Sequence, residues 1–238
     1  MRRIGIGLAG SGFAAALHAE AYRKVYGFDV RIEALYSTNP GAAAFAARFG
    51  IPRVCSSFEE LVSLKDVKVV DLCTHPAAHV SAVMQAMEPG RHVICEKPLG
   101  GYFGRGEARA GDTAKRTMYE AVDAELRSLE DYLSRSSRKF FYAENYVYAP
   151  AVRKTKELLE ATGAKVLCIK GEESHSGSHS PHAARWSSTG GGSLLRQGCH
   201  PLSAALHLKG PEARVVSVSA EVGSTLACLG EDRSEERR

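Results

Sequence analysis

The sequence is short of the features that mark several large protein classes. None of its 238 residues form an apolar run near the ~20 residues that cross a bilayer, which removes a membrane-spanning reading. No stretch clusters lysine and arginine: the formal net charge of +4 is scattered, so nucleic acid is not an expected partner. There is no Cys-x-x-C pair. The six cysteines (Cys55, Cys73, Cys95, Cys168, Cys199, Cys228) stand singly, mostly in apolar surroundings, as reduced cysteines of a cytoplasmic protein do. The start, Met1-Arg2-Arg3 before Ile4-Gly5-Ile6-Gly7-Leu8, is glycine-broken and lacks the small-residue cleavage site of a secretory signal.

What is present is an alternation of strand and helix patterns. Arg3 to Ala9 alternates apolar residues, Gly10-Ser11-Gly12-Phe13-Ala14-Ala15 follows, and Phe13, Leu17, Ala21 and Val25 then recur at helical spacing. A strand, a glycine turn and a helix form the context that the dinucleotide fingerprint G-x-G-x-x-G/A requires. Gly10 permits the tight turn, Gly12 lets the backbone approach a pyrophosphate, and Ala15 lets the helix pack closely on the strand. The helix start, at Phe13, offers N–H groups to the phosphates.

Further strands are expected at Val30–Tyr36, near Val54, at Val67–Cys73, His92–Cys95 and Arg138–Ala143, with helices between them. Such alternation predicts βαβ units and an α/β, doubly wound parallel sheet. This dinucleotide-binding domain is assigned residues 1–146, and residues 147–238 form a partial second domain. The second domain is expected to be a shortened α+β unit with an open sheet, with strands at Ala164–Lys170 and Ala213–Val222 and a helix from Ser193 to Leu208. The glycine-rich run from Leu99 to Gly111 reads either as a mobile loop over the site or as a surface insertion.

The second strand ends at Ser37-Thr38-Asn39-Pro40. An NAD site normally carries a carboxylate there for the ribose hydroxyls. Glu33 sits in mid-strand, out of reach, so the cofactor is NAD or NADP with a slight lean to NADP. His92 to Cys95 delivers Glu96-Lys97-Pro98 to the carboxyl edge of the sheet, where ligands of open α/β sheets bind. His175, His179 and His182 invite a zinc reading, but their spacing fits no common ligand pattern and no metal is expected.

These landmarks together resemble the Gfo/Idh/MocA oxidoreductases: Gly10-x-Gly12-x-x-Ala15 with His18, Thr74 to His79, Glu96-Lys97-Pro98, and Gly190-Gly191-Gly192 with Gly198-x-His200. The resemblance covers about residues 3 to 222. It implies a hydride transfer between a nicotinamide and a hydroxyl or keto group of a polyol, sugar or sugar-derived acid. Lys97 and His200 would be the catalytic pair. Thr74, Pro76 and His79 would lie along the nicotinamide, joining Gly10, Gly12, Phe13, Ala15, Ser37, Thr38, Asn39 and Glu96 as cofactor contacts. Family members often carry aspartates four residues before and three after the histidine; here those positions hold Arg196 and Ser203. The histidine is then expected to lack its orienting carboxylate. Arg196, one helical turn from His200, is expected to share its face and to clamp a substrate carboxylate. Tyr146, Lys97, Arg196 and His200 are the substrate-contact candidates. The family continues beyond this length, so truncation is one reading, and subunit packing through the second domain's sheet is another implication. The alternatives are a nucleotide-binding protein without turnover, acting as sensor or remnant, and a lyase or glycosidase using transient NAD redox.

Overall fold

The structure is a computed structural model that describes residues 3–104, 110–174 and 185–221. The chain divides into two compact units, Met1–Gly100 with Tyr119–Ala143, and Gly101–Met118 with Glu144–Arg238. The linear boundary expected after residue 146 becomes a break at 143/144, and residues 101–118 belong to the second unit.

The first unit runs β1 (Arg3–Ala9), α1 (Phe13–Tyr22), β2 (Asp29–Tyr36), α2 (Ala42–Phe49), β3 (Val54–Cys55), α3 (Phe58–Ser63), β4 (Val69–Leu72), α4 (His79–Met87), β5 (His92–Cys95), most of α5 (Lys115–Arg135), and β6 (Phe140–Tyr142). The six strands form one parallel sheet in the order β3-β2-β1-β4-β5-β6. β1 is the switch point, pairing with β2 on one side and β4 on the other, and the crevice beyond such a switch is where α/β sheets bind ligands.

Helices cover both faces because the strands are apolar on both. Successive strand residues point to opposite faces. Ala9 and Ala34 accordingly join a core with Leu61, Val70, Leu72, Val83, Val93 and Leu129. Their neighbours Leu8 and Leu35 join the opposite core, with Ala15, Ala19, Ala46, Phe49 and Ile51. Asp71, between Val70 and Leu72, is thereby turned away from the first core and toward α1.

α1 departs from its expected apolar face. The helix buries Ala15 and Ala19 and leaves Phe13 82% and Leu17 53% exposed. The reason is distance. Gly10 has φ +108, and a Cβ placed on it would lie 2.2 Å from the Cys73 carbonyl oxygen. A turn that tight brings the helix onto the strands too closely for anything larger than alanine at the contact.

The second unit contains α6 (Pro150–Thr162), α7 (Trp186–Thr189), α8 (Gly192–Arg196) and α9 (Cys199–Lys209). Among its described residues there is no strand. Residues 164–170 and 213–221 carry no ladder, and Leu167 and Val216 are almost wholly exposed. Both segments have strand-favouring residues, but a strand forms only against a partner's row of N–H and C=O groups, and the described residues supply none. The sheet expected to pack subunits together is therefore not formed among them. Val222 and His175–His182 lie outside the described residues.

The single helix expected from Ser193 to Leu208 is two. α8 ends at Arg196, Gln197 leaves helical geometry at φ −123, and Gly198 caps α9. A Cβ at Gly198 would meet the Leu194 carbonyl oxygen at 2.6 Å, so close backbone approach accounts for this glycine. The described parts of the glycine-rich run are packed. Tyr102 is buried, its N–H donates to the Gly190 carbonyl at 2.8 Å, and its own carbonyl accepts from Trp186 Nε1 at 2.9 Å. The glycines here permit backbone-to-backbone approach: a Cβ at Gly101 would lie 2.9 Å from the Gly190 oxygen. Arg105–Arg109 lie outside the described residues.

Gly10→Ala combines a left-handed φ with a backbone collision, and should destabilise the first unit by ~2 kcal/mol or more. Urea unfolding would read this, and a variant as stable as wild type would contradict the turn's geometry.

Candidate active site

β1 ends in a turn held by the Gly10 N–H, which donates to the Tyr36 carbonyl at 2.7 Å. The N-cap of α1 is Gly12, with no side-chain cap and no acidic residue in the first turn. The first N–H groups of α1 are left for another acceptor, and the helix dipole favours an anion there. A Cβ at Gly12 would meet nothing within 4 Å, so the approach is open. Ser11 Oγ and Ser37 Oγ lie 2.8 Å apart across the ends of β1 and β2. Asn39 is used locally: its N–H donates to Ser37 Oγ at 3.2 Å and its Oδ1 accepts from the Gly41 N–H at 2.8 Å. Glu33 is held by Arg3 at 2.8 Å, consistent with its exclusion as a ribose ligand. Past β4, Thr74 Oγ1 is buried with no partner, a hydroxyl ready for a ligand group. An uncapped helix, an open glycine and an orphaned hydroxyl fit a dinucleotide.

His79, expected along the nicotinamide, is fully buried. Its ring sits between two backbone carbonyls, with Nδ1 2.8 Å from Pro98 O and Nε2 3.1 Å from Thr74 O. Burial lowers its pKa, against the pull of those carbonyls. The ring is packed between the turn after β4 and the turn after β5, its one N–H in the neutral form serving one of the two carbonyls, and it is fully buried. Pro76 opens a 3-10 turn, Pro76–Ala78, whose N-cap is His75.

β5 delivers Glu96 and Lys97, and the Lys97–Pro98 peptide is cis. The Glu96 carboxylate is engaged at both oxygens. Oε2 accepts from the Lys97 N–H at 2.9 Å, and Oε1 lies 3.2 Å from His18 Nε2. His18 Nδ1 in turn lies 2.8 Å from Asp71 Oδ2, which also accepts from the Tyr22 hydroxyl at 2.7 Å. Asp71 is fully buried. Burial opposes a charge on His18, but hydrogen bonds to Asp71, Cys73 and Glu96 and the Asp71 charge outweigh it and hold the imidazole well above its ordinary pKa. The ring is an imidazolium between two carboxylates. Burial, and then the Asp71 charge, push the Tyr22 hydroxyl up. Burial likewise raises the Cys73 thiol to about 12, so it is no nucleophile.

In the second unit, His200 has the carboxylate it was expected to lack. Its Nδ1 lies 2.7 Å from Glu144 Oε1, and both side chains are buried. Glu144 stands just after β6, as N-cap of the 3-10 turn Asn145–Tyr148, and its Oε1 also accepts from the Tyr146 N–H at 3.1 Å. The Tyr146 ring stacks on His200 with centroids 4.2 Å apart. A carboxylate acceptor assigns the proton to Nδ1, which leaves the lone pair of the neutral ring on Nε2. Glu144 Oε2 is buried without a partner. Cys199 brings a third potential ligand atom within 4.8 Å, but the 2.7 Å contact is a direct hydrogen bond with no room for an ion between its two atoms. Arg196 and His200 lie on different helices, so the shared face expected for them is lost at Gln197.

Comparison with known proteins agrees with this geometry. The family model described as oxidoreductase family, NAD-binding Rossmann fold, of the Gfo/Idh/MocA group, matches residues 4–101. Those residues belong to the Gfo/Idh/MocA family. Levoglucosan dehydrogenase of Pseudarthrobacter phenanthrenivorans is 30% identical over 231 residues, 92% of this chain and 54% of that protein. The mouse trans-1,2-dihydrobenzene-1,2-diol dehydrogenase is 30% identical over 154 residues, 64% of this chain and 40% of that protein. Among solved structures, levoglucosan dehydrogenase with NADH and levoglucosan aligns with TM-score 0.69 at 24% identity, covering 87% of this chain and 54% of that one. An NAD-binding oxidoreductase from Klebsiella pneumoniae aligns with TM-score 0.67 at 26% identity, covering 87% and 53%. The chain thus spans about half the length of the curated relatives it matches. Among the described residues no helix is long and apolar enough to cross a membrane.

The residues missed from sequence are Asp71 and Tyr22 in the first unit and Glu144 in the second. Glu144 sits 56 positions from His200, and no local pattern joins them. Asp71 is a lone acid inside an otherwise apolar strand, and that exception is the one signal that was available.

The His18 network carries a pH signature. A histidine with a raised folded pKa stabilises fully below its unfolded value, 6.5, and loses that contribution as pH rises toward the folded value. The groups around the ring are Asp71, Cys73 and Glu96, with Tyr22 on the Asp71 carboxylate. The Tm advantage of wild type over His18→Gln should be larger at pH 6 than at pH 9. A pH-independent difference would refute the charged ring.

Proposed function

We propose that the chain is an NAD(P)-dependent oxidoreductase that moves a hydride between a nicotinamide and a CH–OH or keto carbon of a polyol, sugar or sugar-derived acid. The uncapped glycine-headed helix and the match over residues 4–101 support the cofactor, and the relatives named for levoglucosan and for a cyclic dihydrodiol support the substrate class. One observation favours turnover over a binding-only remnant: the Glu144–His200 hydrogen bond. The family position four residues before the histidine holds Arg196, whose guanidinium stays protonated and is no base. Glu144 supplies an acid partner from another element and leaves His200 Nε2 as a proton acceptor.

In this reading the substrate C–H bond breaks with its electron pair, and the O–H proton goes to Nε2 of His200. The nicotinamide, when bound, supplies the hydride acceptor. Lys97 donates to the carbinol oxygen and stabilises the charge that develops as the proton leaves. Tyr146 holds the imidazole plane by stacking, and Glu144 holds its tautomer and the positive charge it acquires. Arg196 is the residue through which an acid group on the substrate would be read, so the substrates tested include sugar acids beside neutral ones.

The test follows nicotinamide absorbance across polyols, anhydrosugars, cyclic diols and sugar acids. Turnover is expected with at least one. Lys97→Ala and Glu144→Gln should each lower kcat by ~10²–10⁴-fold while the dinucleotide Kd stays unchanged. If the dinucleotide binds, no compound is oxidised or reduced and Lys97→Ala alters nothing, the sensor or remnant reading replaces this one.

For the coenzyme, the turn Ser37-Thr38-Asn39 carries no carboxylate to repel a 2′-phosphate, which supports a lean to NADP. Ser37→Asp should shift the Kd ratio toward NAD by about tenfold, in line with the ~1 kcal/mol or more between like charges at 4 Å. An unchanged ratio would remove Ser37 from coenzyme selection.

A further inference from the structure

His18 lies on α1, about one and a half turns past the glycine-headed start of the helix that would hold the phosphates, yet its ring is spent on neither phosphate nor core. It spans two strand ends. Nδ1 meets Asp71 of β4 at 2.8 Å, and Nε2 meets Glu96, the residue after β5, at 3.2 Å. Tyr22, one turn further along α1, donates to the same Asp71 oxygen at 2.7 Å and fixes that carboxylate's orientation. The far oxygen of Glu96 accepts the backbone N–H of Lys97 at 2.9 Å. Hydrogen bonds therefore run without interruption from helix α1, through Asp71 and His18, to the peptide that carries Lys97.

The strand alternation explains how they meet. Val70, Leu72, Val93 and Cys95 face one core, so Asp71 and Glu96 face the other side of the sheet, the side α1 covers. Asp71 and Ile94 are register partners, so the two acids come from neighbouring strands two residues apart. Two carboxylates converging on one small, largely buried space repel unless a cation lies between them. The ring of His18 lies between them, within hydrogen-bonding distance of both. A structural ion pair alone would not require the second carboxylate to reach on to the Lys97 N–H.

We propose that His18 is a positioning residue that locks the direction of Lys97, by holding Glu96 against the Lys97 peptide and tying both to the cofactor-binding helix. This rests on the reading of Lys97 as the group that meets the reacting oxygen. A movement of α1 as its N-terminus takes up the phosphates is transmitted to Glu96 through a ring that is hydrogen-bonded on both sides. Replacing the imidazole by a neutral amide removes the cation between Asp71 and Glu96, so Glu96 swings toward solvent and the Lys97 peptide loses its acceptor.

The experiment has an arm that needs no turnover. Lysines of the apo chain are reductively methylated with a carbon-13 label, and the Lys97 resonance is assigned by its loss in Lys97→Arg. In His18→Gln and in Glu96→Gln the Lys97 resonance should shift, while those of exposed lysines such as Lys154 stay in place. In the second arm, kcat should fall by ~10–10²-fold in His18→Gln with the dinucleotide Kd unchanged, the scale expected for a displaced reacting group. The same substitution should have no further effect in a Lys97→Ala background. A Lys97 resonance identical to wild type in both variants overturns the proposal, as does a kcat loss that adds in full to that of Lys97→Ala, because a purely structural residue acts whether or not Lys97 is there. If His18→Gln does not fold, Glu96→Gln, at the less buried end of the network, decides alone through the same two readings. If no substrate is ever turned over, the resonance arm still judges the His18–Lys97 link, so failure of the oxidoreductase reading and failure of this inference remain separate.

Discussion

The first unit depends on how closely α1 approaches the sheet at Gly10. With φ +108 and no room for a Cβ against the Cys73 carbonyl, the chain reverses within three residues and starts a helix almost on top of β1 and β4. Two consequences follow from that one constraint. The helix can bury only alanines, Ala15 and Ala19, so its larger apolar residues face outward. The next polar residue on its inner side, His18, comes within hydrogen-bonding distance of Asp71 in the neighbouring strand. A looser turn with a larger residue in place of Gly10 would separate these groups and leave Asp71 buried without a counter-charge, a situation that costs far more than the interaction itself supplies.

His18 in the first unit and His200 in the second illustrate how the same side chain is given different work by its neighbours. His18 has a carboxylate on each nitrogen, which favours its cationic form, and with both nitrogens occupied it acts as a strut. His200 has a carboxylate on Nδ1 alone and an aromatic ring against its face. Among the described residues one nitrogen is committed and the other is not, and this is the arrangement in which an imidazole accepts a proton in a defined direction. His79 is a third case. Both its nitrogens face backbone carbonyls, which favour the charge, but burial outweighs them, so its charge is disfavoured and the ring fills the space between two turns.

Much of the first unit was legible in the sequence, because its signals are local. Strand, glycine turn and helix are neighbours in the chain, and His92–Cys95 emerged with the bounds observed. Faces were less legible. The four-residue recurrence of Phe13, Leu17 and Ala21 is a sound helical signal, but which stripe is buried is decided by the turn before it, and hydrophobicity alone points to the wrong side. In the second unit the strand-favouring segments 164–170 and 213–221 show the opposite limit: propensity marks what a segment is suited to, while a ladder needs a partner. The break at Gln197–Gly198 was half visible, since a glycine in a helical pattern signals close approach but does not say whether the helix continues through it.

The replacement of the customary aspartate by Arg196 looked, in one dimension, like the loss of the histidine's partner. Sequence spacing can show only partners on the same helix. Glu144 reaches His200 from the turn after β6, across 56 residues, and it does so with an oxygen that is also tied to the Tyr146 backbone. A carboxylate that must both orient an imidazole and stabilise the charge it acquires works best when it cannot itself rotate away, and the Tyr146 N–H restricts that rotation. The remaining oxygen is buried and, among the described residues, has no donor competing for it.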